Sequence, residues 1–169
     1  MSSTSPLQNK VVLLVDDEPD ILETVSEELE MCLVHKAENF ETARQYLLSY
    51  TYDLVVLDIM GVSGFELLKL AVAKGFPTIM LTAHALTPEA LKKSIKLGAV
   101  SFVPKEKISV LKPFLEEMVA DGGKTGWQSL FGKFGAYFND RFGSDWREKD
   151  RFLKEFVAEF EKDSGEETP

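Results

Sequence analysis

The sequence predicts an α/β chain: a doubly wound parallel sheet of five βα units, (βα)₅, followed by a C-terminal helical extension. Two observations carry that expectation. Over roughly the first 120 residues, five short apolar runs alternate with segments of helical periodicity, the pattern of a parallel sheet covered by helices on both faces. After Ala120 the composition shifts, and ten of the 18 aromatic residues fall within 121–169.

The five runs are VVLLV (11–15), the weaker CLVHKA (32–37), LVVLD (54–58), TIMLT (78–82) and VSFVP (100–104). The first, third and fourth are almost wholly apolar, as expected of central strands buried on both faces. Between them, Pro19 stands at a first helical position ahead of Ile21, Leu22, Val25 and Leu29. Asn39 is a natural N-cap for a second helix carrying Phe40, Ala43, Leu47 and Leu48. A third helix is predicted over residues 63–74, stopped by Gly75. A fourth runs from Thr87-Pro88 to Gly98, and a fifth over 108–119, with Pro113 marking a kink or a later start.

Residues 1–9 are polar and expected to be disordered, which leaves an α/β domain at 10–120. Asp121-Gly122-Gly123-Lys124-Thr125-Gly126 reads as a linker. Two amphipathic helices are predicted within 127–163, before a disordered tail at 164–169. One presents Trp127, Leu130, Phe131, Phe134, Phe138 and Phe142; the other presents Phe152, Leu153, Phe156, Val157 and Phe160, with Ser144 or Asp145 as its cap. Such faces need a partner surface, so docking on the α/β domain, homodimerisation or a partner protein are the three destinations.

Composition excludes several function classes. The 169 residues carry 19 basic and 28 acidic side chains, a net charge of −9. That field argues against DNA and anionic membranes as partners. The extension is itself acidic and offers no basic recognition helix. A lone cysteine, Cys32, excludes an intrachain disulfide and reads as a small core hydrophobe. There is no apolar run of signal-peptide or membrane-span length, so a cytoplasmic location is expected.

Chemistry concentrates at the strand ends. Asp16 and Asp17 close the first run and Asp58 the third. In an open sheet of order 2-1-3-4-5 the ligand crevice lies at the C-terminal ends of strands 1 and 3, so the three acids converge. Crowded carboxylates need a neutralising cation, and hard oxygen donors suit Mg²⁺. Thr82 ends the fourth run and adds a hydroxyl, while Lys105, just past the fifth, adds an ammonium. A metal site, a carboxylate nucleophile, a hydroxyl and a lysine clamp are the parts of a phosphoryl-transfer centre.

On VVLLVDDEPD, DLVVLDIM with GFELL after it, PTIMLTAH and KLGAVSFVPK, residues 10–120 resemble the response-regulator receiver family of two-component signalling. The resemblance implies a flavodoxin-like fold and a phosphoacceptor at Asp58. It implies Mg²⁺ held by Asp16, Asp17, Asp58 and the Met60 backbone carbonyl. Thr82 and Lys105 would bind phosphoryl oxygens, and Thr82 and Phe102 would form a switch pair. The implied partners are a histidine kinase or phosphotransfer protein and a downstream protein target. The chain would be a signalling protein and not an enzyme, able to catalyse its own phosphorylation and dephosphorylation.

Two departures stand out. The loop after Asp58, IMGVSGFELL, is two residues shorter than is usual before the Gly-aromatic step and lacks the Met-Pro pair. At the lysine, Pro104 precedes Lys105 and Glu106 follows, where the family has a Lys-Pro cis bond. A cis bond before Glu106 would cost about 2.5–4 kcal/mol, so a trans bond with an adjusted loop or a strained bond is expected. His84 is expected on the rim of the site and His35 in a structural role. The alternatives are a pseudo-receiver scaffold whose C-terminal helices mediate assembly without phosphorylation, and, more weakly, an aspartate-based phosphatase. The latter lacks a second acid two residues after Asp58, where Met60 stands.

Overall fold

The computed structural model describes residues 5–59, 61–83, 87–120 and 126–166, with side chains of the last helix described to residue 159. Five strands, β1 (Val11–Val15), β2 (Leu33–Ala37), β3 (Leu54–Asp58), β4 (Thr78–Thr82) and β5 (Ser101–Pro104), alternate with helices. The helices are α1 (Pro19–Glu28), α2 (Phe40–Ser49), α3 (Gly64–Ala73), α4 (Pro88–Leu97) and α5 (Leu111–Ala120). All strands pair in parallel, in the order β2-β1-β3-β4-β5. The expected doubly wound (βα)₅ sheet is the observed one.

Burial follows the apolar pattern. Every residue of β3 and β4 is buried, as central strands covered on both faces require. β2 is an edge, and its Leu33 is exposed. Asn39 caps α2 by accepting from the Thr42 amide at 2.9 Å, and Thr87 caps α4 by accepting from Ala90 at 3.0 Å. Gly98, at φ +100°, supplies the left-handed residue that ends α4. Pro113 marks the later start: a 3₁₀ turn occupies Lys105–Val110, and α5 begins at Leu111, so the proline falls in its first turn. The Cys32 thiol is buried against the Leu7 carbonyl, and His35 Nδ1 pairs with the Tyr52 hydroxyl at 2.8 Å.

The N-terminal expectation needs correction. Residues 5–9 form a turn rather than a disordered arm; Leu7 is fully buried, and Ser5 hydrogen-bonds Glu116 on α5. One apolar side chain in a polar stretch is a weak periodic signal, yet it fills a gap in the core.

The extension comprises α6 (Gly126–Phe142) and α7 (Arg151–Glu166) and docks on the α/β domain. α6 lies along β5, where Ser101 Oγ donates to the Gly126 carbonyl at 3.0 Å and Trp127 Nε1 donates to Ala99 O at 2.9 Å. Phe114 meets Phe134 with centroids 5.8 Å apart, and Phe102 meets Phe138 at 6.4 Å. An open edge strand is a liability, and here a helix covers it. Gly126 opens α6 instead of closing a linker, because a Cβ there would collide with the Val100 carbonyl. The linker residues 121–125 lie outside the described residues, as does the side chain of Phe160.

Two further boundaries differ from expectation. The cap of α7 is Asp150, which accepts from the Leu153 amide at 3.1 Å, not Ser144 or Asp145. The chain first makes a turn that buries Trp146, whose Nε1 donates to Asn139 at 2.9 Å, and this delays the helix. α7 also continues through residues 164–166, beyond the expected start of the tail.

Candidate functional site

Strand register assembles the site. Val15 pairs with Leu57, so the next residues, Asp16 and Asp58, stand side by side at the C-terminal edge of the sheet. Leu81 pairs with Asp58, which places Thr82 one step further along the rim. Thr82 pairs in turn with Pro104, and Lys105 follows directly. Four separated segments thus meet because parallel strands all end on one side.

Carboxylate oxygens of Asp16, Asp17 and Asp58 all lie within 4.8 Å of one another. Asp16 and Asp58 are buried, Asp17 is exposed, and the Lys105 ammonium enters between the buried pair. Lys105 Nζ is 2.8 Å from Asp16 Oδ2, 3.3 Å from Asp58 Oδ1 and 3.8 Å from Glu18 Oε2. Its side chain is only 8% exposed, so these charges interact with little screening by water. The Lys105–Glu106 bond is trans, since the described chain has no cis peptide bond. The 3₁₀ turn that begins at Lys105 is the adjusted loop.

Burial and charge set the protonation of the group. Loss of hydration pushes the Asp58 carboxyl up to about 6, aided by the neighbouring Asp16 charge and opposed by Lys105. Asp16 is also raised, mainly by burial, although Lys105 and the Glu18 amide work against the shift. Burial pulls Lys105 downward, but its Asp16 contact and the Asp58 charge outweigh this and hold it above the usual lysine value. The fold therefore forces like charges together, the condition that a hard cation relieves. An all-carboxylate donor set with one exposed member fits Mg²⁺, which favours oxygen ligands and retains water. Among the described residues, the buried Thr82 hydroxyl has no hydrogen-bond partner, so it is free to bond an incoming oxygen.

The short loop after Asp58 packs tightly against the site. Gly61 takes φ +83°, and a Cβ there would strike the Asp17 carboxylate. A Cβ on Gly64 would run into the Asp58 backbone carbonyl, so α3 starts directly beneath the acid. Ser63, also left-handed at φ 55°, makes that tight entry without a side-chain cap. Met60 and His84 lie outside the described residues. Phe102 is fully buried, with its ring against Phe138.

Two participants escaped the sequence reading. Glu18 donates its amide to Asp16 Oδ1 at 2.9 Å and turns its carboxylate toward Lys105. Its place beside the acidic pair was the available signal. Phe138 approaches the site through Phe102, and nothing in its spacing could have said which ring it would meet.

Comparison with known proteins agrees with this arrangement. Residues 12–114 match the response regulator receiver domain family. Response regulator GtcR of Aneurinibacillus migulanus is 32% identical over 102 residues, covering 57% of this chain and 42% of that protein. Heme response regulator HssR of Staphylococcus saprophyticus is 42% identical over 80 residues, or 43% of this chain and 34% of that protein. The chain thus spans less than half the length of these curated relatives. A CheY-like receiver domain protein from Methanospirillum hungatei superposes with a TM-score of 0.62 at 25% identity, covering 70% of this chain and 100% of that one. The BeF3-activated DrrB receiver domain of Thermotoga maritima shares the fold at 24% identity and a TM-score of 0.60, over 67% of this chain and 99% of that one. With the matched segment running from within β1 through β5 and including the acid, threonine and lysine positions, the chain belongs to the response regulator receiver domain family of two-component signalling.

Proposed function

We propose that the protein accepts a phosphoryl group on Asp58 from a histidine kinase or phosphotransfer protein, in a Mg²⁺-dependent reaction, and thereby switches a protein–protein interaction. The observation that carries this reading is the convergence of Asp16, Asp17 and Asp58 within 4.8 Å, with Lys105 Nζ 3.3 Å from Asp58.

In the transfer, an Asp58 carboxylate oxygen attacks phosphorus as the bond to the donor's imidazole nitrogen breaks, leaving an acyl phosphate and a free histidine. Asp16, Asp17 and Asp58, with the Met60 backbone carbonyl, would hold Mg²⁺, and the ion would supply charge neutralisation for the phosphoryl oxygens. Lys105 provides a second positive charge at the same point and accepts no proton in the reaction. Thr82 offers the hydroxyl that bonds a phosphoryl oxygen, and Phe102, on the neighbouring strand, is the proposed switch ring. The chain itself contributes positioning and electrostatics, as expected of a signalling acceptor rather than a turnover catalyst.

The test is intact-mass analysis after incubation with Mg²⁺ and acetyl phosphate, for wild type and Asp58→Ala. One added phosphoryl group in wild type alone supports the reading. No added phosphoryl group in wild type would sink it in favour of a scaffold, and the same added mass on both proteins would take the acceptor away from Asp58.

A further inference from the structure

We infer that α6 is a positioning element for the Asp58 site, with Phe138 its central positioning residue: docking of the extension and occupancy of Asp58 by a phosphoryl group favour one another. It rests on the reading of Asp58 as the phosphoacceptor.

Two chain segments leave the site, and the extension grips both. β5 runs from Ser101 to Pro104 and delivers Lys105. It is an edge strand with no strand outside it, so α6 settles its lateral position. Phe138 is fully buried and packs on Phe102 on one side and on Phe142 and Trp146 on the other, at 5.5 and 6.1 Å. The two residues after Lys105 are also held. Arg141 pairs with Glu106 at 3.3 Å, and Lys107 lies over the Tyr137 ring at 5.2 Å. On the β4 side, Lys92 of α4 pairs with Asp150 at 2.7 Å, and Lys96 covers Phe152 at 4.9 Å.

The end of β5 cannot shift without repacking this aromatic cluster, because packed interiors resist small displacements. In the docked arrangement Lys105 already reaches Asp16 and Asp58. Docking therefore prepays the ordering of the lysine that a phosphoryl group needs. Coupling between two binding equilibria is reciprocal, so a group on Asp58 must strengthen docking by the same factor.

The test uses the full chain with Mg²⁺ and beryllofluoride as a phosphoryl mimic. Binding is read by fluorine NMR, with Asp58→Ala as the control, and docking by amide hydrogen exchange over residues 126–142. Beryllofluoride should slow exchange in α6. Phe138→Ala should weaken beryllofluoride binding roughly fivefold or more, and Phe138→Leu should retain most of it. Arg141→Glu should weaken binding about twofold, in keeping with an exposed pair, and Glu106→Arg in the same chain should restore it. Should Phe138→Ala fail to fold, the Arg141 and Glu106 variants at the surface carry the decision. Unchanged affinity in the folded variants, or faster α6 exchange on binding, overturns the coupling alone. No Asp58-dependent signal in wild type overturns both the coupling and the phosphoacceptor reading.

Discussion

The acid pocket and the aromatic seam beneath α6 are both buried, and they are built from opposite physics. In the pocket, Asp16, Asp58 and Lys105 are taken out of water and crowded, so the fold carries a charge cost there. In the seam, Phe102, Phe114, Phe134 and Phe138 bury rings against one another, and the polar contacts sit at the rim, in Lys133–Glu117 and Arg141–Glu106. One region is strained by its chemistry and the other is stabilised by its packing. They meet at β5, which contributes Phe102 to the seam and leads into Lys105 of the pocket. The contrast teaches that a costly reactive site can be supported by an apolar layer only one strand away.

The contrast is sharpest in substitutions that should move stability in opposite directions. Phe138→Ala removes a fully buried ring and should cost about 3–5 kcal/mol in chemical denaturation. A loss below about 1 kcal/mol would mean that the seam is not the stabilising region.

Asp58→Asn should do the reverse, raising stability by about 1–3 kcal/mol at pH 7 in the presence of a chelator. The sign follows from the raised carboxyl, at about 6 in the folded protein against about 3.9 unfolded. The folded state holds this proton more tightly than the unfolded chain, so the contribution of Asp58 is most favourable at low pH. It is lost as pH rises through about 6. The advantage of Asn should thus be near zero at pH 4 and complete above the folded value. Melting temperatures of the two proteins across that range decide the matter, and a gap that does not widen with pH would refute the strained-pocket account.

The smallest expected effect lies at the edge of the seam. Trp127→Phe keeps most of the ring but leaves the Ala99 carbonyl without its donor, and should cost roughly 1 kcal/mol. Trp146 remains as the fluorescent reporter of that unfolding transition. A cost equal to that of Phe138→Ala would place the weight of the seam at its start instead of its centre.

Much of the fold was legible because the central strands are almost purely apolar and the helix caps follow simple hydrogen-bond rules, as at Asn39 and Thr87. Leu7 was missed because one apolar residue has no periodicity to betray it. The cap of α7 was missed because burial of Trp146 delays the helix to Arg151, a tertiary demand overriding the nearer capping residues.

The sequence by itself determined the parallel sheet, the strand-end acids, Thr82 and Lys105, because alternation of apolar runs sets the topology and topology sends every strand end to one rim. Only the tertiary structure decided where the extension goes. An amphipathic helix states that it needs an apolar partner but not which one, and the strand-free edge of β5 supplied it. The trans bond at Lys105 and the close fit of Gly64 against Asp58 were likewise settled in three dimensions, where the short loop had to close over a finished sheet.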